Sequence, residues 1–135
     1  NKKMAGELNI RSGLVVSGSI DQSGGIISNP RVAVTAVSST HSVDLSTGNN
    51  FYINLSGGDE NHLKCISGSS GQQFHIIVNT PGETATLSSH ANMKYVAEET
   101  YVASTGAAKD MLVGFVQRGD DEPTSYMFYY KNLGG

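Results

Sequence analysis

Apolar residues recur along this chain in short alternating runs, cut by clusters of Gly, Ser, Asn and Asp, which is the pattern of an all-β protein. Phe51, Ile53 and Leu55 fall on one parity and Tyr52, Asn54 and Ser56 on the other, so a strand there presents one apolar face. Phe74, Ile76 and Val78 repeat the device. The spacing predicts strands at 7–10, 14–17, 31–37, 41–45, 50–55, 62–67, 72–78, 84–88, 93–96, 111–118 and 125–131. The stretch from Tyr95 to Thr100 is too short to stand as a helix without tertiary support and reads as loop or a short turn. Gly57-Gly58-Asp59-Glu60-Asn61 and Ser67-Gly68-Ser69-Ser70-Gly71 read as turns, because glycine takes positive φ freely and Asp, Asn and Ser side chains bond nearby backbone amides. Consecutive hairpins, or a meander, are expected on either side of them. Pro81-Gly82 closes the strand that ends near Val78.

The first thirty residues differ in kind. Their apolar stretches are very short, spaced by Gly and Ser, and carry no aromatic residue. Small isolated sheets are only marginally stable in water, so this segment needs a partner. We read it as an N-terminal β-thread over 1–30, with a β-sandwich over 31–135 and a junction at Asn29-Pro30. In an intertwined trimer, Leu14, Val16, Ile20, Ile26 and Ile27 would point to the shared axis; the alternative is that the thread adds edge strands to its own sandwich.

Length and composition narrow the classes. At 135 residues the chain is one domain's worth. No apolar run approaches the roughly 18 residues of a membrane span, so no membrane insertion is expected. Nine Lys plus Arg against twelve Asp plus Glu give a net charge of −3 with no basic run, which argues against a nucleic-acid partner. Cys65 is alone and has no partner for an intrachain disulfide. No apolar h-region follows Asn1-Lys2-Lys3-Met4, and the chain is expected to be processed or part of a longer polypeptide.

Candidate chemistry is sparse, and neither cofactor nor metal is expected. His62, Cys65, His75 and His90 are the soft-ligand set, but a spacing of three on a strand puts His62 and Cys65 on opposite faces. Ser, His and Asp are abundant without a Gly-x-Ser-x-Gly elbow. Asp59, Glu60, Asp120, Asp121 and Glu122 could pair as glycosidase carboxylates or bind calcium, yet they read as solvated loop tips without apolar neighbours to tune an acid. Tyr126, Phe128 and Tyr130 share one face of the last strand, and Met127 and Tyr129 the other. The first set reads as core with the other face covered by a neighbouring subunit; as a sugar-stacking platform, it would make Tyr126 and Tyr130 ligand-facing.

Four motifs carry a resemblance. They are the turn Asp44-Leu45-Ser46-Thr47-Gly48-Asn49, the step Gly71-Gln72 into Phe74 to Val78, Asp110 ahead of Met111 to Phe115, and the aromatic strand from Tyr126 closing in Asn132-Leu133. The stretch they span, from Val43 to Leu133 and about two thirds of the chain, resembles β-sandwich domains of tailed-bacteriophage virion proteins: tail-fibre, head-fibre and capsid decoration proteins. The resemblance implies a compact β-sandwich, commonly trimeric, mounted on a virion; the fold expected for the chain is a short thread followed by an antiparallel, jelly-roll-like β-sandwich.

The expectation is therefore a non-enzymatic virion structural protein, homotrimeric, attached to a capsid or tail protein through its thread. One alternative is a receptor- or carbohydrate-binding module that meets host glycan through Asp59, Asp120, Tyr126 and Tyr130. Another is a bacterial surface adhesin subunit using the thread for strand exchange.

Overall fold

The computed structural model describes residues 9–24, 28–57, 60–82, 85–90, 92–96, 101–104, 106–117 and 124–134. Among them run β1 (Arg31–Val34), β2 (Thr40–Asp44), β3 (Asn50–Asn54), β4 (Glu60–Ile66), β5 (Gln73–Asn79), β6 (Thr86–Ser89), β7 (Met93–Tyr95), β8 (Lys109–Gln117) and β9 (Ser125–Gly134). Each overlaps a predicted strand. Their alternation is the cause: Phe51 and Ile53 in β3, Leu63 and Cys65 in β4, and Phe74, Ile76 and Val78 in β5 all point inward with no exposed surface.

The strands form two sheets, one of six in the order β1-β3-β5-β8-β9-β7 and one of three in the order β2-β4-β6. Their inner faces close on one apolar core, in which Phe51, Phe74, Leu112 and Phe128 meet Val43, Leu63, Cys65 and Leu87. The all-β, two-sheet reading holds.

The pairing within the sheets corrects the antiparallel, jelly-roll-like expectation. β1, β3 and β5 run parallel, β2, β4 and β6 run parallel, and β7 lies parallel to β9. Only β5 with β8 and β8 with β9 are antiparallel among the described strands. From β1 to β6 successive strands alternate between the sheets, so the chain winds as a short parallel solenoid whose turns take roughly 20 to 26 residues. The predicted hairpins are therefore arches. β3 and β4, and likewise β4 and β5, face each other across the core instead of hydrogen-bonding to each other. A turn signal reports where the chain reverses, not whether the next strand joins the same sheet or the opposite one.

Buried polar groups hold these arches. Asn61 Oδ1 and His41 Nε2 lie 2.9 Å apart inside the core, and Asn61 Nδ2 donates to the carbonyl of Ser56 at 3.1 Å, pinning the connection between β3 and β4.

The predicted strands at 7–10 and 14–17 are a second correction. Residues 9–24 carry no strand and are exposed throughout, with Leu14 67%, Val15 93% and Ile20 75% accessible. Gly13, Gly18 and Gly24 take positive φ along this segment. Period-two apolar residues form a strand only where a neighbour supplies hydrogen bonds, and this segment pairs with no strand among the described residues. Residues 7 and 8 lie outside the described residues.

Candidate functional site

The most concentrated polar chemistry surrounds Asp110. It stands in the inward row that runs from Val34 through Ile53 and Val78, and it pairs with Asn132 on β9. Its carboxylate has no exposed surface and accepts from Tyr101 Oη at 2.7 Å, Ser104 N at 2.9 Å and Asn132 Nδ2 at 2.8 Å, with the Ser104 hydroxyl as a fourth donor. Burial alone would raise its pKa, but the hydrogen bonds from Asn132, Ser104 and Tyr101 outweigh it and the net direction is down. Burial pushes the Tyr101 phenol well up, and the bond to Asp110 adds to that. The donors are neutral and aim at the carboxylate, so the cluster fastens residues 101–104 to β8 and β9. A nucleophile relay would instead require an imidazole between serine and carboxylate, and none of these partners is a histidine.

The other two motifs form a second lock. Gln72 Nε2 donates to the carbonyls of Leu45 at 2.8 Å and Gly48 at 3.0 Å, while its Oε1 accepts from Ser69 N at 3.1 Å. Asn49 Nδ2 donates to the Gln73 carbonyl at 2.7 Å, and Asp44 Oδ1 accepts from both the amide and the hydroxyl of Ser46. The four motifs thus pair two by two as folding devices, Asp44 to Asn49 with Gly71-Gln72, and Asp110 with Asn132.

Several predicted site residues move. Tyr126 is buried, and its hydroxyl accepts from Gly68 N at 3.2 Å; Tyr130 packs against the core with its ring 4.9 Å from that of Tyr101. Burial takes Tyr126 off any outward platform, which corrects its assignment as ligand-facing, while Tyr130 is half-buried at the edge of the core. Apolar rings on the core parity of β9 are worth more buried than exposed. Leu14, Val16 and Ile20, named as oligomer contacts, are exposed. Ile26, Ile27, Asp59 and Asp120 lie outside the described residues. Cys65 points into the core while His62 lies on the outer face of β4, and no three of His, Cys, Asp and Glu converge among the described residues.

The outer face of the six-stranded sheet carries Met127 and Tyr129, the side of the last strand that the sequence reading covers with a neighbouring subunit, and extends it onto β8 and β5. Its register places Ile77 beside Met111, Val113 beside Tyr129 and Phe115 beside Met127. Phe115 is 43% and Tyr129 52% accessible. With Gln73, His75 and Val113 they line a shallow depression of about 250 Å³ floored by the backbone at Gly114. A signal was present: Met111 to Val116 and Tyr126 to Tyr130 are almost unbroken apolar runs, the mark of strands covered on both faces.

No family model, curated protein or solved structure matches the chain. Among the described residues no helix is long and apolar enough to cross a membrane.

Proposed function

We propose that this chain is a non-enzymatic structural component of a tailed-bacteriophage virion, of fibre or decoration type. It assembles as a homotrimer through its N-terminal thread, attaches to a capsid or tail protein and displays the two-sheet body outward. The observation that carries the reading is an exposed apolar segment: Leu14, Val15, Val16 and Ile20 are 67%, 93%, 42% and 75% accessible, while the body is already closed around its own core. The number three and the virion setting come from the resemblance of the four turn-and-strand motifs. That these motifs are spent on folding supports presentation and assembly over catalysis.

Light scattering on residues 1–135 and on a chain starting at Arg31 tests the proposal. A mass near three times the monomer that falls to monomer on truncation supports it. A monomer in both overturns it, and a truncated chain that stays trimeric removes the thread as the assembling element.

A further inference from the structure

We propose that the free edge of β1 takes residues 14–17 from the thread of a second copy of this chain as an added strand, with Leu14 and Val16 continuing the inward apolar rows that Val32 and Val34 begin. The inference rests on the assembly reading above and names where the thread binds.

The two ends of the winding are finished differently. Past β5 the six-stranded sheet goes on through β8, β9 and β7, and the Asp110 cluster fastens residues 101–104 to it. At the other end β1 closes the sheet, and no described strand pairs with its outer side. The inward rows show the difference. Phe51, Ile53, Ile76 and Val78 have no exposed surface, whereas Val32 and Val34, which head the same two rows, are only half-buried. Solenoids cover such an end with a capping unit, and free edges are commonly blunted by a charge, a proline or a bulge. β1 has no proline and pairs without a register shift, and its one charge, Arg31, lies over the Tyr52 ring on β3, 4.6 Å from the centroid, drawn away from the free edge.

The thread holds the matching strand. Gly13 and Gly18 both take positive φ and delimit Leu14-Val15-Val16-Ser17, four residues against the four of β1. Leu14 and Val16 share one parity, as Val32 and Val34 do, and Val15 on the other parity falls beside the outward Ala33. Leu14 and Val16 are 67% and 42% accessible in the single chain, and no described strand pairs with them. Strand addition satisfies both elements at once, since main-chain hydrogen bonds join the edges while alternate side chains extend the core. The occupant is a second copy because the chain's own 14–17 stays exposed while its own β1 edge stays open. Thread onto edge is a head-to-tail contact, and one that closes makes a ring in which every thread and every edge is used.

Disulfide trapping between full-length chains tests the placement, because the native thiol, Cys65, has no exposed surface. With Leu14 and Val16 over Val32 and Val34, Val15 stands opposite Ala33 whether the added strand runs parallel or antiparallel, and both residues are exposed in the single chain. Val15→Cys mixed with Ala33→Cys is expected to give a linked heterodimer on mild oxidation. Val15→Cys mixed with Tyr129→Cys, on the same face but four strands and about 19 Å from β1, is expected to give none. In the wild type, amide hydrogen exchange across 31–34 should slow about ten-fold or more from dilute monomer to assembled chain, while exchange across 73–79 stays unchanged. If Val15→Cys links only to itself and exchange across 31–34 does not change, the threads pair with one another and the β1 seat is overturned, with assembly by the thread left standing. A Val15→Cys/Ala33→Cys double variant that closes within one chain overturns the second copy as occupant. Wild type that is monomeric at every concentration removes this inference and the assembly reading together.

Discussion

The hydroxyl of Tyr101 donates to Oδ2 of Asp110 across 2.7 Å, where the carboxylate has no exposed surface. Removing either partner has a different consequence. Tyr101→Phe deletes one donor and leaves three, so a loss of about 1.5 to 3 kcal/mol is expected. Asp110→Ala strands Tyr101, Ser104 and Asn132 together and should cost about 3 kcal/mol or more. Urea midpoints of the two variants, at unchanged m, check the order.

The same carboxylate makes stability depend on pH with a defined sign. An unfolded Asp titrates near about 3.9, and in the fold Asp110 lies lower. Its contribution is thus fully present above the unfolded value and is lost as pH falls through the folded one. The stability gap between wild type and Asp110→Ala should hold from neutral pH to about pH 5 and close below about pH 4. A gap that stays constant to pH 2 in denaturant melts would mean that Asp110 is not the group responsible.

These locks show what was legible and what was not. Alternation in Phe51 to Leu55 and Phe74 to Val78 located strands and inner faces, because period two is written in consecutive residues. Parallel pairing was not legible, since Phe51 meets Val32 on one side and Ile76 on the other, partners roughly 20 to 25 residues away that no local pattern names. Asp110 and Asn132 stood out as motif residues, but their contact depends on the register between β8 and β9. The outer apolar face was written in the unbroken run from Met111 to Val116, and only the register showed it to be one continuous surface with Met127 and Tyr129.

Cys65 illustrates burial acting on reactivity. Desolvation in the core pushes its thiol up to about 12, so almost none is thiolate near neutral pH. Labelling by a thiol reagent at pH 8 should be at least about a thousand-fold slower in the native protein than in denaturant. Rapid stoichiometric labelling of the folded chain would place Cys65 outside the core.

Gly114 is required by space. It lies on the inward face of β8, in register with Phe74 on β5 and Phe128 on β9, both fully buried. A Cβ there would collide with the Met127 carbonyl oxygen and fall 2.7 Å from Cζ of Phe74 and 2.9 Å from Cβ of Phe128. The rings can shift a little, but the carbonyl is fixed within the sheet, so Gly114→Ala must push β8 and β9 apart. A loss of about 1 to 3 kcal/mol or more follows, read as a lower denaturant midpoint. Gly82→Ala is the control, since a methyl there meets nothing within 4 Å. Shortening the ring in Gly114→Ala/Phe74→Leu relieves the second clash and not the first, so recovery should be partial. Full recovery would show that the ring, and not the strand spacing, sets the requirement for glycine.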